Sequence, residues 1–244
     1  MDNRPAAIET LRSEYDGRLL DPVERKQQAK RLYSALMTAG LWPAHPRVLD
    51  VGCGTGFKLS SLGENVTLRV GCDIRRENYL NISDAVGNIK FVQASATEMP
   101  FPEESFDMVT CISVIEEFPD FRAAIAEMAR CVAKGGVLVI NVTNGVLLQP
   151  LYQLAEMAGK KIPESWWHYA TASKPIVKAN PDRGYHIACL EGWHYIHLTP
   201  YIIRSQFPLM KYFPISLLDI VSRCLTPTFV HAWKRPSESD EGRK

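Results

Sequence analysis

Apolar runs and helical segments alternate through the middle of the chain. RVLDV, VTLRVGCDI, IKFVQA, FDMVTCIS and GGVLVINV each predict a strand, and amphipathic stretches such as FRAAIAEMARCVA stand between several of them. Near-continuous apolar strands separated by helices are typical of a parallel sheet that is covered on both faces. The pattern therefore predicts an α/β fold with a doubly wound, mostly parallel sheet.

The residues before the first strand predict a helix. Asp21-Pro22 supplies a cap and a proline suited to the first helical turn, and apolar residues then recur at helical spacing until Gly40. We expect residues 1–44 to form an N-terminal helical segment, followed by a ligand-binding core over residues 45–143.

The alternation ends after the fifth strand. Residues 144–198 lack a clear period, apart from VLLQPLYQLAEMAG, which predicts a helix interrupted near Pro150. We expect an irregular or helical insertion over this range. Residues 199–235 return to the core, with a helix that begins at Thr199 and a last strand in TFVHAWKR, and residues 236–244 predict a disordered tail.

The composition narrows the classes of function. The formal net charge is +1, from 28 basic and 27 acidic residues, which argues against a nucleic-acid partner. The chain has neither the apolar core of a signal peptide nor a run of about 18 apolar residues that would predict a membrane span. Its six cysteines are scattered without a Cys-x-x-Cys pair, which favours buried thiols over disulfides or a metal site. We expect a cytoplasmic protein.

The stretch VLDVGCGTG, residues 48–56, is the strongest local signal. A strand that ends in a glycine turn and opens a helix brings backbone N–H groups close to a ligand. The dinucleotide fingerprint fails, because its sixth position is Phe57 instead of Gly or Ala. Asp73 follows Gly52 by 21 positions, at the end of the second strand, where a carboxylate accepts hydrogen bonds from ribose hydroxyls. These residues predict a nucleoside ligand without a pyrophosphate.

With this turn and Asp73, the chain resembles the class I S-adenosylmethionine-dependent methyltransferases that act on small molecules. VLDVGCGTG is similar to the first motif of that family residue for residue, and Asp73 to its second. FVQASATEMPFPEESFDMVTCISVIEEFPD resembles the third and fourth motifs, and MARCVAKGGVLVI resembles the helix, turn and strand that follow. The resemblance covers residues 45–143 and implies the Rossmann-like methyltransferase fold, with S-adenosylmethionine as the cofactor.

The resemblance also implies a set of cofactor contacts. The glycines would pass close to the methionine part, Asp73 would bind the ribose, and Ile74 would pack on the adenine. The backbone of Ala96 would reach the adenine ring, and Cys111 and Ile112 would line the methyl end. The residues assigned to the cofactor are Asp50, Gly52, Gly54, Gly56, Asp73, Ile74, Ser95, Ala96, Cys111 and Ile112.

The chain departs from the family at two positions of interest. Ser95 stands where an acidic residue commonly contacts the adenine amino group. Glu116-Glu117 stands where many members have Glu-His. If that histidine takes part in catalysis in relatives, its role here is vacant or has moved.

Histidines and aromatic residues concentrate in the insertion. Four of the six histidines lie there, at positions 168, 186, 194 and 197, among several Trp and Tyr residues. Such a segment could form a lid with an apolar wall and a histidine as general base, or an irregular half-buried subdomain without a catalytic role. His194 and His197 are the candidate bases. No third ligand supports a metal bound by this pair.

The resulting hypothesis is an S-adenosylmethionine-dependent methyltransferase acting on an oxygen, nitrogen or carbon atom of a small molecule. A lipid-like acceptor or a secondary metabolite fits the apolar segments of the insertion, and membrane contact stays open. The alternative is a catalytically silent partner subunit that binds the same cofactor. The sequence predicts neither the acceptor nor the oligomeric state.

Overall fold

The structure of the protein is a computed structural model. It describes residues 22–75, 89–162, 164–178, 190, 192–206, 212–218 and 228–241. His186, which was grouped with the candidate lid, lies outside these ranges.

Seven strands form a single sheet in the described part of the chain. In sequence order they are β1 Arg47–Val51, β2 Leu68–Asp73, β3 Ile89–Gln93, β4 Phe106–Cys111, β5 Val132–Thr143, β6 His194–His197 and β7 Thr228–Lys234. Their order across the sheet is β3-β2-β1-β4-β5-β7-β6. The first five run parallel, and β7 runs antiparallel to both β5 and β6. The predicted mostly parallel α/β sheet is confirmed.

Helices connect and cover the strands. They are α1 Pro22–Thr38, α2 Phe57–Ser60, α3 Phe121–Cys131, α4 Gly145–Met157, α5 Glu164–Lys178, α6 Thr199–Gln206 and α7 Glu238–Glu241, with a 3₁₀ turn at Ile115–Glu117. The helix predicted near the N-terminus is therefore present as α1. The helix α3 begins after Asp120, whose side chain accepts hydrogen bonds from the N–H groups of Arg122 and Ala123.

The core lies on both faces of the sheet. On one face, Ile125 and Met128 of α3 pack against a cluster that includes Val109 and Leu138. On the other face, Leu36 of α1 joins a second cluster with the strand and loop residues beneath it. The alternation of strand residues between two apolar clusters explains why the strands are apolar along nearly their whole length.

Three features differ from the sequence-based predictions. Pro150 does not interrupt α4, which runs from Gly145 through Met157 with the proline inside it. The segment expected to be a disordered tail contains α7, and before it the Ser237 N–H and hydroxyl both donate to Asp240 Oδ2, at 3.0 and 2.6 Å. His194–His197 forms an edge strand, so these four residues belong to the sheet and not to the helical insertion.

The insertion itself is helical where it is described. The helices α4 and α5 pack against each other, and α5 also contacts β5 and the 3₁₀ turn. No helix in the described ranges has the length and apolar character that a membrane-spanning segment requires.

Candidate active site

The glycine turn follows β1 at the centre of the sheet and is tied to the end of β2. The N–H groups of Gly52 and Cys53 both donate to the carbonyl of Cys72, at 2.8 and 3.1 Å. Gly52 has a φ of +67°, and a Cβ at this position would lie 2.6 Å from a γ-carbon of Val114. Only glycine fits here, because a side chain would meet both a strained backbone and a neighbouring residue.

Asp73 lies beside the turn, as the spacing predicted. Its Oδ2 accepts a hydrogen bond from the Gly54 N–H at 2.9 Å, and its Oδ1 accepts from the Arg75 N–H at 2.9 Å. These two donors fix the orientation of the carboxylate. Because each carboxylate oxygen has two acceptor positions, the group retains capacity for two further donors such as a pair of ribose hydroxyls.

An apolar surface continues from Asp73 toward the end of β3. Ile74 is 67% exposed, so its side chain is available for contact with a flat ring. Ser95 lies just beyond β3, where its hydroxyl is within 2.9 Å of Thr97 Oγ1 and accepts from the Thr97 N–H at 3.3 Å. Ala96 follows it and is buried. Ile74, Ser95 and Ala96 therefore lie at neighbouring strand ends, with the Ser95 hydroxyl engaged in its own turn.

A buried polar network lies beneath the turn. Asp50 is fully buried; its Oδ1 accepts from Thr110 Oγ1 at 2.7 Å, and its Oδ2 accepts no hydrogen bond within the described ranges. The Lys58 ammonium lies 4.0 Å from Oδ2 and donates to the carbonyl of Ile112 at 3.0 Å. Burial raises the pKa of Asp50, and the charge of Lys58 opposes that shift.

This network joins three structural elements that are separate along the chain, namely β1, α2 and β4. Lys58 on α2 connects the turn after β1 to the end of β4, and Thr110 connects β4 to Asp50 on β1. Lys58 and Thr110 were missed as site residues. Thr110 carried a signal, since a polar residue in a buried strand requires a partner. No such signal marked Lys58, because the direction of its side chain depends on how α2 is oriented against the sheet.

At the end of β4, the side chain of Cys111 does not lie where it was expected to line the methyl end of the cofactor. Cys111 is fully buried in the core, so only its backbone can face a ligand, and burial raises the pKa of its thiol well above the ordinary value. Ile112 presents its carbonyl to Lys58. Ser113 follows with a φ of +63°, and its N–H donates to Asn141 Oδ1 of β5. The β4 end is thus fixed to both α2 and β5.

The 3₁₀ turn after β4 forms the other wall of the site. Glu116 is 8% exposed, and its Oε1 accepts from the Thr143 N–H at 2.7 Å, which ties the turn to the end of β5. Burial raises the pKa of Glu116, and the hydrogen bond from Thr143 opposes the shift. Glu117 is more exposed, and its Oε1 lies 4.0 Å from Nε2 of His168 on α5.

The helices of the insertion are seated over this wall. At the start of α4, a Cβ on Gly145 would lie 1.9 Å from the carbonyl oxygen of Ala170 and 2.5 Å from Ser173 Oγ. Ala170 and Ser173 of α5 are both fully buried. The close approach places α5, with His168, near the carboxyl ends of β4 and β5, which is the edge where ligands bind in open α/β sheets.

His194 and His197 do not reach the turn. They lie in β6, four strands from β1, which corresponds to about 19 Å at the usual spacing between strands. The register aligns His194 with Lys234 of β7, which is level with Val137 near the amino end of the parallel strands. His197 is 7% exposed and stacks on His231 with ring centroids 5.4 Å apart. His194 is exposed near the amino end of the sheet edge and His197 packs on His231, so neither candidate base lies against the glycine turn.

The described ranges hold no metal-ligating cluster, and the groove between α1 and the end of α2 is distinct from this site. Within the part of the chain that the structure describes, no group of three or more His, Cys, Asp or Glu side chains is placed to hold a metal ion. A shallow groove of about 250 Å³, lined by Tyr33, Met37, Trp42 and Gly63 among others, lies between α1 and the end of α2. It lies away from the residues of the glycine turn.

The chain is similar in sequence to a known family and to several curated proteins. Residues 49–140 match the family described as Methyltransferase domain. The ubiquinone/menaquinone biosynthesis C-methyltransferase UbiE of Vibrio campbellii is 33% identical over 168 residues, which cover 60% of this chain and 61% of that protein. The uncharacterized methyltransferase YcgJ of Bacillus subtilis is 35% identical over 98 residues, 38% of this chain and 39% of that protein. The chain thus spans 39% to 61% of the length of these two curated relatives.

A solved structure extends the likeness beyond the matched core. The plantazolicin methyltransferase BpumL, in complex with a monoazolic desmethylPZN analog and SAH, aligns with a TM-score of 0.59 over 93% of this chain and 90% of that chain. Their sequence identity is 17%, so the likeness shows the shared fold alone.

Proposed function

Because this chain belongs to the class I S-adenosylmethionine-dependent methyltransferases, we propose that it binds S-adenosylmethionine at the glycine turn and transfers the methyl group to a small-molecule acceptor. The observation that carries the proposal is the pairing of Gly54 with Asp73. This hydrogen bond joins a glycine-rich turn to an oriented carboxylate that still has acceptor capacity.

The residues present fit such a cofactor. No described atom lies within 4 Å of a Cβ built on Gly54, so open space adjoins the backbone of the turn. Asp73 would accept hydrogen bonds from the ribose, and the exposed Ile74 would pack on the adenine. The Asp50, Thr110 and Lys58 network would hold the turn and the β4 end at a fixed separation beneath the methionine part.

The cofactor supplies an activated methyl group on a sulfonium centre, so the chain's own task is positioning. The β4 end and the 3₁₀ turn would form one wall for the acceptor, and α4 with α5 the other. Closure of these helices over the strand ends would exclude water and hold the acceptor in line with the methyl carbon. Such orientation contributes several kcal/mol to lowering a barrier, about 7 or more in the best-aligned cases.

The acceptor we favour is an apolar, ring-containing small molecule. The relative UbiE is named for C-methylation in ubiquinone and menaquinone biosynthesis, and its similarity extends past the core, over 168 aligned residues. Apolar side chains are also exposed along α4, including Leu151, Leu154 and Met157. A hydrophobic surface beside the site suits a ring or an aliphatic tail better than a charged metabolite.

Calorimetric titration with S-adenosylmethionine and S-adenosylhomocysteine, with NAD as a control ligand, tests the cofactor. We expect micromolar binding of the first two alone. Asp73→Ala should weaken binding by about 1.5–3 kcal/mol, the range for hydrogen bonds to a charged group, which is roughly 10- to 150-fold in Kd. Glu64→Ala is the matched control, because Glu64 is an exposed acidic residue in the loop between α2 and β2.

Methyl transfer is then measured with labelled cofactor and a panel of aromatic hydroxyl, amine and quinol compounds. Turnover with any of them supports the enzyme and gives the acceptor class. Binding of the cofactor without turnover would favour the silent partner subunit. Equal affinities of wild type and Asp73→Ala would remove Asp73 from the ribose site.

A further inference from the structure

We propose that His168, oriented by Glu117, is the general base that takes a proton from the acceptor during methyl transfer. The inference rests on the proposed function and deepens it, because it also defines which acceptors the site can use. His168 would be a catalytic residue, and Glu117 a positioning residue that acts through it.

The fold brings this pair to the wall of the site. The 3₁₀ turn is anchored through the Glu117 N–H, which donates to the carbonyl of Val114 at 2.9 Å. The side chain of Val114 lies directly against Gly52 of the glycine turn. Glu117 therefore lies three residues after Val114, which touches the glycine turn proposed to bind the cofactor. His168 reaches the same wall from α5, with Nε2 at 4.0 Å from Glu117 Oε1.

The surroundings of the imidazole suit a base. Nε2 is buried and has no hydrogen bond within the described ranges, yet the side chain as a whole is 39% exposed. A movement of about 1 Å would bring Nε2 within hydrogen-bond distance of the carboxylate. A proton held on Nε2 leaves the lone pair on Nδ1, and the carboxylate then stabilises the imidazolium that forms when Nδ1 accepts a proton.

The groups that face the imidazole are few in the described structure. Glu117 is the acidic group at close range, and the ring of Tyr169 meets His168 edge-on with centroids 5.5 Å apart. Glu116 is adjacent in sequence to Glu117 but its carboxylate is held by the N–H of Thr143. Glu117 is therefore the group that we expect to orient the imidazole of His168.

Position distinguishes His168 from the other described histidines. His194 and His197 lie in the edge strand, and His231 pairs with Tyr195 there through a 2.7 Å contact between Tyr195 Oη and His231 Nδ1. His45 precedes β1, at the amino ends of the parallel strands. His231 and His197 are level with Ile140 and Cys111, near the carboxyl end of β4, but they lie two and three strands away from β4. His168 instead lies beside the 3₁₀ turn that follows β4.

The step balances without any further reactant. The bond between sulfur and the methyl carbon breaks with its electron pair left on sulfur, and a new bond forms from the acceptor atom to that carbon. The acceptor loses its proton to Nδ1 of His168, which then releases it to solvent. The site should therefore take acceptors that have a proton to lose, namely hydroxyls, primary or secondary amines, or a ring carbon activated by a hydroxyl. Thioethers and tertiary amines have no such proton to lose, so they would gain nothing from His168.

The kinetic test compares His168→Gln and Glu117→Gln with His194→Gln, a matched control at the far edge of the sheet. We expect His168→Gln to lower kcat/KM by about 10²- to 10⁴-fold, with cofactor affinity within about twofold of wild type. The His194→Gln variant should keep wild-type activity. A His168→Gln variant that turns over at the wild-type rate, or a His194→Gln variant with the larger loss, would overturn the proposal.

The double variant tests the pairing of Glu117 with His168. Because Glu117 is proposed to act only through His168, Glu117→Gln should lower kcat with KM unchanged, and the variant with both substitutions should be no slower than His168→Gln alone. Additive losses in the double variant, or a Glu117→Gln variant with wild-type kcat, would refute the role of Glu117. Failure of the proposed function would be seen separately, as a wild-type protein that binds no S-adenosylmethionine.

Discussion

Replacing Gly52 by alanine should destabilise the protein through two separable effects. The first is backbone strain, since a left-handed conformation costs an L-residue about 1–2 kcal/mol, and φ at Gly52 is +67°. The second is a clash, because the new Cβ would lie 2.6, 2.7 and 3.0 Å from three carbons of Val114. Relief requires Val114 to move by nearly 1 Å, and overpacking of this kind costs about 1–3 kcal/mol. The sum is about 2–5 kcal/mol.

Two other glycines isolate the strain from the clash. Gly54 in the same turn has a φ of +52°, and Gly40 after α1 has a φ of +68°, yet a Cβ at either position meets no atom within 4 Å. Gly54→Ala and Gly40→Ala should therefore cost only the strain, about 1–2 kcal/mol. Thermal unfolding without ligand should place the Tm of Gly52→Ala about 2–12 °C below that of Gly54→Ala, from 2–4 °C per kcal/mol for a chain of this size.

The double variant Gly52→Ala with Val114→Ala completes the test. In the Val114→Ala background the two γ-carbon contacts are absent and only the contact with Cβ at 3.0 Å remains, so the cost of Gly52→Ala should fall towards about 1–2 kcal/mol. The difference between the two backgrounds measures the contact with the γ-carbons. A clash with Val114 would be refuted if Gly52→Ala were no less stable than Gly40→Ala. It would also be refuted if Gly52→Ala lowered the free energy of unfolding equally in the wild-type and Val114→Ala backgrounds.

Three further perturbations address other parts of the structure. The Arg47 guanidinium donates hydrogen bonds to Asp107 and lowers the pKa of that carboxyl. The contribution of this pair to folding stability should be present above the pKa of Asp in the unfolded chain, about 3.9, and should be lost as the pH falls through the pKa of Asp107 in the folded protein. Urea unfolding from pH 7 to pH 2 should therefore show Asp107→Asn less stable by up to about 1 kcal/mol at pH 7, with the difference vanishing in acid. Gly145→Ala would drive a Cβ into the Ala170 carbonyl, so it should separate α4 from α5 and impair acceptor turnover while cofactor affinity by calorimetry is kept. Ile74→Ser should leave the Tm unchanged but weaken cofactor binding by about 1 kcal/mol, because the exposed side chain contributes its apolar area only when the ligand is bound.

Much of the central fold was predictable because it depends on the local pattern of apolar and polar residues. The strands between Arg47 and Thr143 are apolar runs, and parallel strands buried on both faces have that pattern whatever their neighbours are. The glycine turn and Asp73 were also predictable, since a strand, turn, helix and strand of fixed length place the two together. Their direct contact through Gly54 confirms that geometry.

The histidines show where local pattern fails. His194 and His197 lie in a sequence rich in aromatic residues, which resembles a lid, but a four-residue edge strand carries no period long enough to be recognised. His168 was part of the same cluster and was not selected, since nothing in the sequence indicates that α5 crosses the turn containing Glu117. Part of the predicted tail forms α7, and the contact between Ser237 and Asp240 at its start is a single short-range feature in a polar stretch.

The sequence by itself determined the sheet, the position of the turn and the identity of the carboxylate beside it, because these depend on periodicity and on distances of a few residues along the chain. The tertiary structure decided which distant side chains meet there. Lys58 reaches Ile112 across 54 residues, and His168 faces Glu117 from a helix 51 positions later. Such contacts depend on how helices pack over the ends of the strands, and that packing is a property of the whole fold rather than of any local segment.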